Sequence, residues 1–172
     1  MTTSSILTKI PTNTSFVQPT KFTFAFPTLP FLKYFCQTAQ LPAVSTSSVP
    51  IPTPFVTTHR HGDTLVYDSF DITAIVDEDL RVWEETYNWL VALTKPEKFS
   101  QYEKYYNENN TPYHDAILTI NTNANINNIR ILFKDCHPVS LSNIQFDTKS
   151  NADNAIIMDV TFRYDYYLIE RL

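Results

Sequence analysis

Glycine is almost missing from this chain: Gly62 is the single one in 172 residues. A glycine-rich phosphate-binding loop is thereby excluded, and tight turns must draw on other residues. Asparagine, the best non-glycine residue at positive φ, takes that role in the run Asn121–Asn128 and again at Asn151 and Asn154. Cysteine is scarce too. Cys36 and Cys136 have no metal-ligand spacing and are too few for a disulfide scaffold, which favours reduced thiols in a cytosolic product. No apolar run approaches the roughly 20 residues that cross a bilayer, and Met1–Ser5 lacks the basic and apolar parts of a signal peptide. Positive charge is also short, with 13 Lys and Arg against 18 Asp and Glu, so a surface that wraps nucleic acid is disfavoured.

Catalytic chemistry finds little to stand on. His59 and His61, two apart beside Asp63, could share one side of a strand, but no third ligand accompanies them. His114–Asp115 and Cys136–His137 are sequence neighbours without a general-base arrangement. The expectation is a protein that is not an enzyme and carries no cofactor and no metal.

Aromatic residues are abundant, with 12 Phe, 10 Tyr and 2 Trp, and 43% of the chain is hydrophobic. That suits one compact domain dominated by pleated sheet. Charge is unevenly spread. Residues 1–62 hold Lys9, Lys21, Lys33 and Arg60 and no acid, leaving about −9 on the rest of the chain. Such asymmetry suits head-to-tail association.

The chain is organised around residues 63–94. Phe70, Ile72, Ala74 and Val76 alternate with Asp71, Thr73 and Ile75, the period of a half-buried strand. Asp77, Glu78 and Asp79 then cap a helix expected over Leu80–Leu93. Two apolar rows are available, Leu80/Trp83/Tyr87/Leu90 and Val82/Thr86/Trp89/Leu93. We take Trp83, Tyr87 and Leu90 as core anchors and Arg81, Glu84, Glu85 and Asn88 as the outer face.

Elsewhere, residues 1–20 read as an extended arm preceding a single domain over 21–172. Lys21–Phe26 and Phe31–Thr38 read as a hairpin about the PTLP turn. The Pro-rich stretch 44–62 reads as a long loop or edge strand that gains order only in an assembly, since Pro50, Pro52 and Pro54 each remove a ladder donor. Pro96–Thr111 allows one helical turn. Tyr113–Asn121 and Ile126–Lys134 form a second hairpin, Cys136–Ile144 a corner, and Ile156–Glu170 one long terminal strand with Asp159, Thr161, Arg163 and Asp165 on its polar face.

The order of these features resembles the tail tube protein family of contractile-tailed (T4-like) bacteriophages. The carrying motifs are GD followed by YDSFDITAIVDED and the WEETYNWL helix, the corner HPVSLSNIQFDTKSN, and the terminal VTFRYDYY strand. The resemblance implies a mainly β, Hcp/tail-tube-like fold: two packed antiparallel sheets forming a barrel-like sandwich with one flanking helix. It also implies homohexameric rings stacked head to tail into a tube whose lumen passes DNA without specific binding, inside a virion assembled in the host bacterial cytoplasm. On that basis Asp159, Thr161, Arg163 and Asp165 are expected to line the lumen. Val49, Ile51, Phe55, His59 and His61 are expected to stack rings, and the outer helix face is expected to meet sheath or solvent, with sheath and baseplate proteins as partners. Alternatives are a tube-initiating or tube-terminating paralogue at the baseplate or neck, and a ring protein of a related contractile injection or secretion system.

Overall fold

The computed structural model describes residues 13–96, 98–106, 111–149, 151 and 153–172. Most of the arm expected at 1–20 therefore lies outside the described residues. Nine strands and three helices are present among them: β1 (Phe22–Ala25), α1 (Pro30–Phe35), β2 (Cys36–Ala39), β3 (Val44–Pro52), β4 (Thr57–Tyr67), β5 (Phe70–Ile75), α2 (Arg81–Thr94), α3 (Phe99–Lys104), β6 (His114–Asn121), β7 (Asn127–Leu141), β8 (Ile157–Arg163) and β9 (Tyr167–Arg171).

Two antiparallel layers form a sandwich rather than a closed barrel. One layer runs β1-β6-β7-β9 and the other β2-β5-β8-β7, so β7 belongs to both. Its first half pairs with β9 over Ile129–Phe133, and its second half pairs with β8 from His137 to Leu141. The change of layer falls at Asp135, which has φ 55, a left-handed conformation that is uncommon for a non-glycine residue. The Asp115 carboxylate holds it there: it accepts the Asp135 N–H at 3.3 Å and ion-pairs with Lys134. The corner thus lies inside a strand. Cys136–Leu141, expected as a turn, is ladder.

The terminal strand breaks at the same level. Lys134 N–H donates to the Tyr166 carbonyl (3.0 Å) and Asp165 N–H to the Lys134 carbonyl (3.0 Å), so Tyr164–Tyr166 turns the chain from β8 in one layer to β9 in the other. The expected single strand over Ile156–Glu170 is two strands, because a strand paired to a bent β7 must bend with it.

The first hairpin is also replaced. Pro30 opens a short helix, where its fixed φ and missing N–H cost nothing, and Leu29 and Leu32, three apart, are both fully buried. This helix carries the chain from one layer to the other, so β1 pairs with β6 and β2 with β5 instead of with each other. Asn125, at φ 64, supplies the left-handed turn residue of the β6–β7 hairpin, as its composition suggested.

Rings fill the space between the layers. Phe70 stacks on Phe133 at 4.4 Å, and Phe26 meets Trp89 at 5.3 Å and Phe162 at 5.4 Å. Such pairs add about 0.5–1.5 kcal/mol each beyond the area they bury. Helix α2 closes one side. The Asp77 carboxylate accepts the Val82 N–H at 3.0 Å, capping its first turn as expected. Its inward face, however, is Val82, Thr86, Trp89 and Ala92. Of the expected anchors, Tyr87 is exposed, Leu90 half-buried, and Trp83 half-buried in a stack on Tyr87 at 5.0 Å. The small residues Val82, Thr86 and Ala92 let the helix approach closely, and Trp89 alone then fills the gap, donating its Nε1–H to the Pro112 carbonyl at 3.1 Å. Tyr105, just after α3, lies parallel to Trp89 at 6.3 Å and donates its hydroxyl to the Glu85 carbonyl.

Residues 44–67 are a two-stranded hairpin, not a loop, and every strand residue from Val44 to Val66 except Gly62 is exposed. Thr53 N–H donates to the Val56 carbonyl across the tip at 3.1 Å. The antiparallel alternation then puts Pro52, opposite Thr57, and Pro50, opposite His59, at positions whose nitrogens point away from β4, so the ladder loses no donor. Between Thr46↔Leu65 and Ser48↔His61 the longer strand β4 bulges. Gly62 sits in that bulge because a Cβ there would fall 2.0 Å from Ser47 Oγ and 2.7 Å from the Ser47 carbonyl oxygen.

Gly62→Ala should cost the hairpin about 1–3 kcal/mol of local stability through this overlap. Amide exchange in β3 and β4 is expected to accelerate about tenfold or more, with exchange in α2 unchanged. Equal protection of the hairpin in both proteins would show that the bulge tolerates a side chain.

Candidate assembly surfaces

The hairpin is the first exposed surface. Opposed residues share a face, so Val49 and Ile51 lie on one face with Thr58 and Arg60, while His59 and His61 lie on the other with Pro50 and Ser48. The five stacking candidates are therefore split: two on each face, and Phe55 alone at the tip, where it is 100% exposed beside the exposed Val56. The hairpin is rooted by the Asp68 N–H donating to the Ala43 carbonyl at 3.0 Å and by Tyr67, whose ring meets Tyr164 at 5.9 Å and Tyr167 at 5.3 Å. Nine residues of β3 carry the tip about 30 Å from that root.

The second surface is the outer face of the β2-β5-β8 layer. β8 buries Met158, Val160 and Phe162 and turns Asp159, Thr161 and Arg163 outward, as period 2 requires. Cross-strand register adds Thr73 opposite Asp159, Asp71 opposite Thr161 and Thr38 opposite Thr73. Thr73 donates its hydroxyl to the Asp159 carboxylate at 2.8 Å. The result is a polar wall of hydroxyls and carboxylates. Asp71, Thr73 and Thr38 were missed as site residues although the alternation of 70–76 placed the first two on the outer side; cross-strand pairing, which sequence does not print, joins them to β8. Asp165 is exposed but belongs to the bend after β8, off this wall. The Arg163 guanidinium donates to the Tyr67 carbonyl at 3.4 Å, tying it to the hairpin root.

The third surface is the flank of α2. Arg81 and Glu84 are exposed, Asn88 half-buried. Arg81 pairs with Asp79 at 3.2 Å and lies 5.6 Å over the Phe31 ring, not against Glu85. Glu85, expected on the outer face, instead accepts the Phe31 N–H of α1 at 3.3 Å in a partly buried position. Burial there pushes its carboxyl above the ordinary 4.5, against the lowering by the Phe31 N–H and Lys104, with Asp77 adding to the rise.

Chemistry of other kinds has no visible site among the described residues. No group of three or more His, Cys, Asp or Glu is placed to hold a metal ion. Burial pushes the Cys36 thiol up to about 11 and the Cys136 thiol up to about 12, so both stay protonated and weakly nucleophilic at neutral pH.

Because the Glu85 carboxyl is raised in the folded state, its stabilising contribution is present at low pH and is lost as pH rises through the folded value. Glu85→Gln keeps an acceptor for the Phe31 N–H and removes that loss. The variant should melt at or above the wild-type temperature at pH 7, with the two converging toward pH 4. A wild-type advantage that grows with pH would contradict the assignment.

The sequence matches the family model for phage tail tube proteins over residues 8–170. No curated protein matches the chain in sequence. Among solved structures, the fold is similar to the tube-terminating cap of the anti-feeding prophage (TM-score 0.59, 14% identity, 98% of this chain and 100% of that one). It is also similar to a chain of the PVC sheath-tube complex, an extracellular contractile injection system, in its extended state (TM-score 0.55, 15% identity, 100% and 99%). A type six secretion system protein shares the fold at a TM-score of 0.52, with 8% identity over 86% of this chain and 81% of that one. The sequence match to that family model over residues 8–170, nearly the whole chain, places this chain in the phage tail tube protein family.

Proposed function

We propose that the protein is the repeating subunit of a tail tube: six copies close a ring, rings stack head to tail, and the lumen conducts DNA during ejection. The observation that carries this reading is the hairpin. A two-stranded ribbon is marginally stable in water, yet this one stands off the body with Val49, Ile51, Phe55 and Val56 exposed, an arrangement that makes sense when a neighbouring subunit covers them. A hairpin that meets a different surface of its neighbour makes a heterologous contact, and heterologous contacts either close into rings or propagate.

The polar wall suits a lumen. Asp71 and Asp159 repel phosphate, and hydroxyls keep the surface wet, so DNA passes without being held. No cofactor or enzymatic step enters this function. The flank of α2, with Arg81 and Glu84 outward, is left for sheath or solvent, and the tube ends for baseplate proteins. A second reading, a paralogue that begins or ends the tube, is supported by the likeness to the tube-terminating cap. A third, the ring of a related injection or secretion machine, is supported by the likeness to the sheath-tube complex. The site of function in each is the assembled virion or particle, put together in the host cytoplasm.

Electron micrographs of the purified protein separate the readings. Long tubes are expected from a repeating subunit, whether of a phage tail or of a related machine, single rings from an end paralogue, and a persistent monomer at high concentration and low salt overturns all three. Removing residues 49–58 should leave a folded body that no longer stacks.

Asp71→Lys together with Asp159→Lys tests the wall. Tubes should still assemble, and DNA ejection should slow, more strongly at low salt where the added charges are least screened. Unchanged ejection from intact particles would remove this face from the lumen.

A further inference from the structure

The body has two unlike ends along β5, and only one carries the hairpin. β5 starts at Phe70, beside the root at Tyr67, and ends at Ile75, about 17 Å away. At that far end the Val76 N–H donates to the Ile156 carbonyl at 2.9 Å, joining the turn before α2 to the segment that leads into β8. Residues 145–148, Asn151, Asn154 and Ile156 there line an open concavity of about 800 Å³, walled mostly by polar residues, in which Phe146 and Ile156 are the apolar members. Phe146 is 73% exposed, and Leu80 and Ile157 are exposed nearby. Carboxylates dominate this end: Asp77, Glu78, Asp79, Asp147 and Asp153 outnumber Arg81 and Lys149, and Arg81 is already paired with Asp79.

The hairpin has the complementary character. Its outer part, Ser48–His61, contains no acid and carries Arg60, His59 and His61 and the apolar tip Phe55–Val56, while the one acid of the hairpin, Asp63, lies in the bulge toward the root. Its own far end is out of reach, because it is rooted at the opposite end of β5 and none of its exposed strand residues folds back on the body. A more apolar concavity, about 350 Å³ between the edge strands β1 and β2, is lined by Phe22, Leu41, Leu118 and Ile120, but its charged residue is Lys21, with Lys33 in the adjoining hollow. That is the same sign as Arg60 in the outer part of the hairpin.

We infer that the hairpin of one copy docks on the far end of a second copy, with Phe55 and Val56 against Phe146 and Ile156 and with Arg60 facing the carboxylates of Asp147 and the Asp77–Asp79 turn. The inference rests on the reading of the hairpin as the stacking device and names what it stacks on. Apolar contact supplies the attraction, and the charge pattern selects this end over the cleft between β1 and β2.

Cross-linking tests it with little disturbance to the fold, since Phe55 and Phe146 are both largely exposed. A chain carrying Phe55→Cys and a chain carrying Phe146→Cys, each also Cys36→Ser, should form a disulfide-linked dimer when mixed and oxidised. Phe55→Cys mixed with Leu41→Cys should not. Arg60→Glu should abolish tubes, and adding Asp147→Lys to it should restore them. If the chain lacking 49–58 still forms normal tubes, the stacking reading itself falls. If that chain fails to stack, but Phe55→Cys couples to Leu41→Cys or to neither partner, the stacking reading stands and this docking site is overturned.

Discussion

The bend in β7 at Asp135 is the constraint on which the rest of the molecule depends. A carboxylate from the neighbouring strand, Asp115, holds a left-handed residue in the middle of a 15-residue strand and pairs with the lysine before it. From that point the two halves of β7 belong to different layers, and each must find its own partners. β8 and β9 are separate strands for this reason, and the facing layers leave a gap that only rings can fill. Phe133 from one half of the system and Phe70 and Phe162 from the other meet there. A left-handed residue costs on the order of 1–3 kcal/mol, which the charge-assisted bonds of Asp115 offset in part and the buried rings in larger part.

Much of this architecture was legible in the residues, and the failures have identifiable causes. Strict alternation over 70–76 and 157–163 located β5 and β8 and sorted their side chains inside and out, because a strand with one buried face leaves that record. The same alternation continued past Phe162 through Tyr164, Tyr166 and Leu168, so the break at Tyr164–Tyr166 was invisible; it is imposed by pairing to a bent neighbour. α2 has apolar side chains on most of its circumference, and propensity could not tell which row faced inward. Packing decided for the row whose small residues admit a close approach, leaving Trp83 and Tyr87 to stack on each other at its side. Pro30 was read as the end of a turn when it was the first residue of a helix, and that error moved β1 and β2 into one hairpin.

For the assembly surfaces the sequence was informative about composition and uninformative about geometry. The composition of the Pro-rich stretch points to an exposed segment, and its prolines exclude a central strand while leaving open a loop or an edge strand. The edge strand is what forms, because Pro50 and Pro52, two apart, both turn their nitrogens away from β4. Nor could any pattern show that Asp71, Thr73, Asp159 and Thr161 share one wall, since their nearness is a matter of register between strands far apart in the chain. Arg163 joins that wall to the hairpin root through the Tyr67 carbonyl, so one residue borders both surfaces.

The prolines of β3 also bear on what the open edge of the hairpin can pair with. An exposed ribbon with apolar side chains on both faces is ordinarily a template on which other chains add as strands, edge to edge and without limit. Along the outer edge of β3, Pro50 and Pro52 present ring carbons where an incoming strand needs hydrogen-bond donors. Indiscriminate sheet extension is blocked there, while the side chains above and below remain available.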